Sequence, residues 1–379
     1  MNRAGKYINN LSGKLAYKSF KPYFLPLNPE LTLNTATNKK LIEAYKSLSE
    51  LEGISKYIPN KDLFISMYVR KEALLSSQIE GTQCTLEDVL NSSVISNANQ
   101  DVAEVVNYVN ACLYAIKRIE SLPICCRSIK EFHEKLMAGV RGQEKNPGEF
   151  RKSQNWIGGS GSTISEARYI PPNVDDMLEA MSNLETFINE EDDIDPLVKN
   201  ALVHYQFETI HPFLDGNGRI GRLLIMLMLL DSKLLSSPIL YVSYFLKKNQ
   251  IEYYDRMSEV RNSGNYEQWI AFFLEAICEA SKDAITTIEE MNKLHEANIK
   301  KIPETNRKKN NIKILFEYIE KYPIIDIQKT AKALDMSYNT VSSLINKLIE
   351  LEILKKENDA ARNRVYIYDK YLEILRKDT

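Results

Sequence analysis

Apolar residues recur at helical spacing along most of the chain, and strand-type alternation is scarce. The spacing predicts helices over 37–58 and 60–80. The second, KDLFISMYVRKEALLSSQIE, sets Leu63, Met67, Val69, Ala73 and Leu74 on or near one face, and EGT breaks it at Gly81. Thr85 followed by acids opens another helix with a capped, negatively charged first turn. Further helical patterns cover 101–120, 127–138, about 174–190, 196–210, 219–232, roughly 240–262 and 266–298. Between 147 and 175 the texture changes. PGEFRKSQNWIGGSGSTISEARYIPP holds four Gly and three Pro among alternating apolar residues, which predicts an irregular segment with a short β-hairpin around GGSGS. Residues 299–311, containing KKIPETNRKKNN, read as a polar, basic linker. After it come a helix at 311–320, IQKTAKALDMSYNTVSSLINKLIELEIL and the alternating stretch RVYIYD. That order matches a winged helix-turn-helix.

Composition adds bounds. With 379 residues the chain has room for two or three domains, and 44% hydrophobic with 26% charged residues is an ordinary soluble balance. The net charge of -2 excludes a bulk polyanion binder. From Lys301 onward there are 16 Lys+Arg against 12 Asp+Glu, a local +4, which leaves 33 against 39 before it. A basic tail on an acidic body mildly favours a nucleic-acid contact. The five Cys (84, 112, 125, 126 and 278) have no CxxC spacing, so neither a disulfide framework nor a zinc site is expected. Residues 1–20 lack a signal-type apolar core, and Leu223–Leu230 is far shorter than the roughly 20 residues a membrane helix needs. A soluble, cytoplasmic protein without membrane contact is expected.

The candidate chemistry sits in HPFLDGNGRIGR, His211 to Arg222, between two apolar helices. The string GNGRIG has dinucleotide-fingerprint spacing, but a helix and not a strand precedes it, so that reading fails on context. A P-loop fails too, for want of the Lys and the strand. The anion logic remains. Gly216, Asn217 and Gly218 can expose successive backbone N–H groups as a nest at a helix N-terminus. Arg219 and Arg222 lie in the first turn, where cations are unfavourable unless an anion is near; a polyphosphate resolves the conflict. Asp215 adds a carboxylate of the kind that holds Mg²⁺ beside phosphates. His211 ends the preceding helix and can act as a general base. Singly, each residue reads as part of a capped turn; the twelve together point to chemistry.

HPFLDGNGRIGR fits the HPFx[DE]GNGRxxR signature of Fic-domain proteins without a mismatch. PGEFRKSQNWIGG and ARYIPP resemble that family's flap, and SSQIEGT resembles its inhibitory motif [ST]xxxE[GN], with Ser76, Glu80 and Gly81 in the matching places. The resemblance covers about residues 1–285. It implies an all-α fold with a small β-hairpin flap, an N-terminal helical region (1–120) with an inhibitory helix at 60–81, and a catalytic core at 121–285. A helix end and linker (286–310) and a winged helix-turn-helix (311–379) would follow. The implied activity is adenylylation: AMP passes from ATP to a Ser, Thr or Tyr hydroxyl of a target protein, or of the enzyme itself. His211 would take the hydroxyl proton and Asp215 would hold Mg²⁺. Gly216, Asn217 and Gly218 would hold the α- and β-phosphates, with Ile220 and Gly221 continuing the cradle. Arg219 and Arg222 would take the β/γ end, and Asn249, in SYFLKKNQIEYY, would lie near the adenine. Glu80 would brake the reaction by pairing with Arg222, in cis or within a homodimer, and Ser76 would hydrogen-bond within its helix to set its pose. In some relatives the same Glu positions a water that removes AMP.

Other residues read more plainly. His133, His204, Trp156 and Trp269 suit packing, Lys152 and Arg168 solvated flap positions, and His295 a charged helix. The rival from another class is a DNA-binding regulator with a nucleotide-sensing body. It would read a major groove with Tyr338, Asn339, Thr340, Ser342, Ser343, Asn346 and Lys347, and touch phosphates with Arg362 and Arg364. Residues 311–379 suit a protein-docking role as well.

Overall fold

The computed structural model describes all residues except 1, 14–15, 59–60, 92–98, 140–144, 160, 162, 303–305, 358–363 and 378–379; side chains at 63, 91 and 306–310 are also left undescribed. The chain opens with an antiparallel hairpin, β1 (Gly5–Asn10) and β2 (Tyr17–Pro22), registered Gly5 to Pro22. Helices α1 (Thr35–Ser55), α2 (Lys61–Ile79), α3 (Leu86–Asn91), α4 (Gln100–Arg118) and α5 (Cys126–Leu136) follow. After an irregular segment come α6 (Val174–Asn189), α7 (Pro196–Ile210), α8 (Asn217–Asp231), α9 (Ser243–Lys248), α10 (Gln250–Ser263) and the 36-residue α11 (Tyr266–Lys301). The tail contains α12 (Asn306–Lys321), β3 (Ile324–Asp326), α13 (Ile327–Ala333), α14 (Tyr338–Glu350), β4 (Lys355–Lys356), β5 (Val365–Ile367) and α15 (Asp369–Arg376), its three strands in the antiparallel order β3-β5-β4.

Short polar residues start the helices where the sequence places them. Asn34, Asn99 and Asn173 cap α1, α4 and α6 by accepting from Thr37, Val102 and Asp176 N–H. Asp195 caps α7, with Pro196 in the first turn where its missing N–H costs nothing. Helices α7 and α8 are buried almost all round and pair at the centre of the body. A helix apolar on every side must be interior. Around that pair, α1 packs on α11, α4 on α5, and α2 on both α4 and α9. Met67, Val69, Ala73 and Leu74 of α2 are all buried.

Several expectations need correction. The N-terminal region is not wholly helical. Phe20 N–H donates to Ile170 O at 3.0 Å, and Phe20 is fully buried, so β1–β2 gains its stability by docking on the flap base. The flap is less regular than a hairpin. One bridge joins Ile157 and Tyr169, and a single 3₁₀ turn spans Ile164–Glu166. Within GGSGS, Ser160 and Ser162 lie outside the described residues. Tyr169 is pulled inward by its hydroxyl bond to Thr209 O at 2.6 Å, which ends the ladder. The helix expected over 240–262 is two, broken at Asn249 with φ -113° and ψ 33°. The linker is shorter than 299–311, because α11 runs to Lys301 and α12 begins at Asn306. Packing supports these polar turns: Asn298 donates to Tyr368 hydroxyl at 2.6 Å and Ile302 is buried. Among the described residues no helix is long and apolar enough to cross a membrane, no group of three or more His, Cys, Asp or Glu gathers as a metal site, and all five Cys are free.

Candidate active site

The loop between α7 and α8 is fixed from four directions. His211 closes α7 in the left-handed region (φ 50°, ψ 61°), where a residue with a Cβ is uncommon, and Gly216 opens α8 at φ 74°. His133 of α5 stacks on Phe213 at 3.8 Å and 4°. Its Nδ1 accepts from Gly148 N–H at 2.9 Å, so its Nε2–H donates to Asp215 O at 3.0 Å. Burial pushes its pKa down to about 4, keeping it neutral. Asn217 folds back to accept from Phe213 N–H and donate to Phe213 O, each at 2.8 Å. Arg151, 1% exposed, donates Nε–H to His211 O at 3.0 Å and backbone N–H to Pro212 O at 2.9 Å, and reaches Pro172 O and Ser153 O. Asn155 donates to Phe213 O at 2.9 Å. Four flanking side chains thus hold a strained turn in one shape.

The His211 Nδ1 lies 3.3 Å from Glu208 O. A carbonyl only accepts, so Nδ1 carries the proton and Nε2 keeps a free lone pair. Burial pushes the imidazolium down to about 4, with Glu208 O opposing. His211 is therefore neutral near pH 7 in the tautomer a base requires.

The loop's arginines point to different sides. Arg219 is buried between Glu104 (3.6 Å) and Asp215 (3.7 Å), with Met137 Sδ at 3.9 Å. Its Nε and Nη1 have no hydrogen-bond partner. Orphaned buried donors beside a backbone nest suit an anion. Asp215 takes Gly216 N–H at 2.6 Å and Lys145 Nζ at 3.1 Å. Burial would raise its pKa, but Lys145 and Arg219 outweigh it and the carboxyl stays ionised. Its side chain is 37% exposed and Lys145 44% exposed. One accessible carboxylate fits Mg²⁺, which takes one or two protein carboxylates and completes its shell with phosphate and water.

Arg222 is 2% exposed and faces α2. Nη2 contacts Glu80 Oε1 at 2.6 Å and Ser76 O at 2.9 Å, and Nε donates to Ser76 Oγ at 2.8 Å. Ser76 thus binds Arg222, where a bond within its own helix was expected. Burial would lower the guanidinium's pKa; Glu80, first among several neighbours, more than offsets this and raises it. Glu80 lies in the turn after α2, set by Thr82 N–H to Ser77 O at 3.1 Å and by Gly81 at φ 92°. Its carboxylate sits on the nest: a Cβ built at Gly218 would meet Glu80 Oε1 at 2.2 Å. The pair is made within one chain.

Asn249 is not gathered into this group. Its amide donates to Phe245 O at 2.9 Å, and it lines an open groove of about 780 Å³ with Lys247, Gln250 and Arg256. Neighbouring Gln250 reaches Ile79 O at 3.0 Å, so the groove borders the end of α2. Ile220 is fully buried and anchors α8. His204 buttresses the site: Nδ1–H donates to Gly221 O at 3.0 Å and Nε2 accepts from Tyr253 hydroxyl at 2.9 Å. Trp269 is buried and donates to Ala201 O at 2.8 Å, as packing demands, whereas Trp156 is 41% exposed on the flap. Sequence reading missed Arg151, Asn155, Lys145, Glu104 and Glu208. Only Glu208 carried a signal, a lone carboxylate in the apolar stretch before His211. The others come from distant segments that no spacing links.

Residues 38–117 match the family described as Fic/DOC family N-terminal, and residues 123–229 match the Fic/DOC family. Proteins named protein adenylyltransferase Fic from Drosophila grimshawi and Drosophila erecta are 29% and 30% identical over 172 residues. That stretch is 45% of this chain and 31% and 30% of theirs, so the match spans under a third of those relatives. A solved Fic family protein from Desulfovibrio desulfuricans superposes with a TM-score of 0.59 at 21% identity, covering 89% of this chain and 97% of that one. A Fic domain containing signaling protein from Bacteroides thetaiotaomicron gives 0.51 at 18%, covering 64% and 95%. At these identities both speak to the fold.

Proposed function

The chain belongs to the Fic/DOC family, and from that premise we propose that it transfers AMP from ATP to a Ser, Thr or Tyr hydroxyl of a protein, restrained by Glu80. The geometry of His211 supports the transfer. With Nδ1 committed to Glu208 O, Nε2 takes the hydroxyl proton as the oxygen attacks the α-phosphorus; the bond to the β-phosphate breaks and pyrophosphate leaves. The nest from Gly216 to Gly218 receives the phosphates, and Arg219, whose Nε and Nη1 have no hydrogen-bond partner, takes their β/γ end. Mg²⁺ held by Asp215 would neutralise phosphate charge. Asn249 would meet the adenine from the groove bordering α2, which it lines.

The observation that carries the restraint is the Glu80–Arg222 pair at 2.6 Å, seated on Gly218. While Glu80 holds that guanidinium, it is withheld from the terminal phosphate, and a misplaced triphosphate loses about 10²-fold in rate. Full-length protein and its Glu80→Gly variant, incubated with labelled ATP, test the reading on a gel. Greater labelling of the variant supports it. Equal labelling removes the restraint, and none in either removes the transfer. Adding pre-labelled product separates attachment of AMP from its removal.

Reading α14 as a nucleic-acid face has one observation in its favour: Tyr338 is 57% exposed at its start, and Asn339, Ser343, Asn346 and Lys347 are exposed beside it. Arg362 lies outside the described residues. A salt-dependent gel shift of the full chain with duplex DNA tests this; no shift at low salt removes it.

A further inference from the structure

Two glycines one turn apart on α8 admit two carboxylates to that helix. Glu80 Oε1 takes the space of a Gly218 Cβ, and Glu208 Oε1 would lie 2.1 Å from a Cβ on Gly221. Arg222 follows directly. The two carboxylates differ in every other respect. The Glu80 side chain is 37% exposed and bonded to Arg222. Glu208 is 9% exposed, its Oε1 is buried without a hydrogen-bond partner, and it makes no ion pair among the described residues.

An ionised carboxylate oxygen buried without a donor is costly. A polyphosphate beside it would add like-charge repulsion. A neutral carboxyl avoids both penalties and supplies an O–H donor. We infer that Glu208 serves the site as a neutral carboxylic acid, donating its O–H to a terminal oxygen of a bound nucleoside triphosphate. The inference rests on the nucleotide reading given above and adds a ligand group to it.

The surroundings agree. Burial pushes Glu208 up to about 7, with Arg222 and Arg261 pulling it down and Glu80 pushing it further up. Facing it are Arg222 on α8, Glu80 beyond α2, Arg261, Tyr253 and Tyr254 on α10, and the His211 ring at its own carbonyl. Burial raises the two tyrosines and lowers His211 to about 4, which takes these three groups away from neutrality. Glu72 on α2 is also pushed up to about 7 by burial, and it senses Arg222. The test must therefore hold Glu72 constant. Phosphate arriving beside Glu208 favours its protonated form, so nucleotide binding takes up a proton above about pH 7 and weakens as pH rises.

Calorimetry of ATP binding in buffers of different ionisation enthalpy reads this directly. Full-length Glu80→Gly protein is compared with Glu80→Gly/Glu208→Gln, in which the amide can still donate. Titration of ATP itself and of Glu72 is common to both. The expected result is close to one extra proton taken up per ATP near pH 8 by the first protein, and an affinity falling up to about tenfold per pH unit relative to the second. Equal proton uptake in the two overturns the role of Glu208 while leaving nucleotide binding intact. No binding by either variant overturns the nucleotide reading and this inference with it. An infrared band of a neutral carboxyl in the ATP complex, lost in Glu208→Gln, is a second requirement; its absence overturns the inference even if the affinities differ.

Discussion

The loop joining α7 to α8 and the polar face of α14 are both short polar stretches on apolar supports, but they hold their polar groups in opposite ways. At the loop, Arg222 is 2% exposed, and His211, Asn217 and the flanking Arg151 each have named partners. On α14, Asn339, Ser343 and Asn346 are exposed, and the bonds at its start and end are local, Ser337 to Thr340 and Lys347 to Glu350, each at 2.8 Å. Burial forces a polar group to declare its partner, because an unpaired one costs about 1–3 kcal/mol. Exposure removes that demand, so geometry constrains a role in the loop and leaves the face of α14 open.

The sharpest way to break this contrast is His211→Ala. If the buried turn is the reacting centre, label transfer falls about 10²–10⁴-fold while ATP binding by calorimetry stays close to that of the parent; near-parental transfer would sink the base assignment. Arg151→Ala comes next. It removes a donor from the carbonyls of Pro172, Ser153 and His211, the last keeping Asn155 at 3.3 Å, and should cost about 3 kcal/mol in urea unfolding, whereas Asn346→Ala on the exposed face should be within about 0.5 kcal/mol. A comparable loss at both positions would erase the distinction. Glu80→Gly should raise transfer about 10²-fold. The smallest effect is expected where tail meets body. Arg376 pairs with Glu87, but its side chain is 36% exposed, so Arg376→Ala should cost under about 1 kcal/mol, the pairing being screened by solvent.

Acid should separate the regions further. Burial holds His133, His204 and His211 down, to about 4, 3 and 4. The unfolded chain protonates near 6.5 while the folded body refuses, so the stability they contribute is full above about pH 6.5 and is lost as pH falls toward about 4. His295 at the tail junction has the opposite sign. Its bond to Glu320 at 2.7 Å raises its pKa, so its contribution is present below the unfolded value and fades as pH rises through the folded one. Melting temperatures of the parent should fall between about pH 7 and about pH 5, and His295→Gln should fall further. Identical pH profiles for the two proteins would remove the tail's contribution.

How much was legible beforehand follows from the same contrast. The start at Thr85 was readable because its cap is local, Asp88 N–H donating to Thr85 Oγ1 at 3.2 Å; Asn34, Asn99, Asn173 and Asp195 cap through bonds of the same short span. The motif was readable because its nest and its two arginines are contiguous. The hairpin β1–β2 was not, since its reason for existing is the flap base at Ile170, some 150 residues away. The adenine role of Asn249 came from the resemblance alone, and its amide donates to Phe245 O within its own helix.

By itself the sequence determined the helical architecture and the gathering of His211, Asp215, three glycines and Arg222 in one short stretch between two helices, because spacing and local capping fix these within one or two turns. Only the tertiary structure decided which side each group faces. It turned Arg219 toward Glu104 and Arg222 toward Glu80, set the His211 tautomer through Glu208 O, and buried a second carboxyl against Gly221. Those outcomes depend on segments brought together by the burial of α7 and α8, and pairing across such distances leaves no periodic mark in the chain.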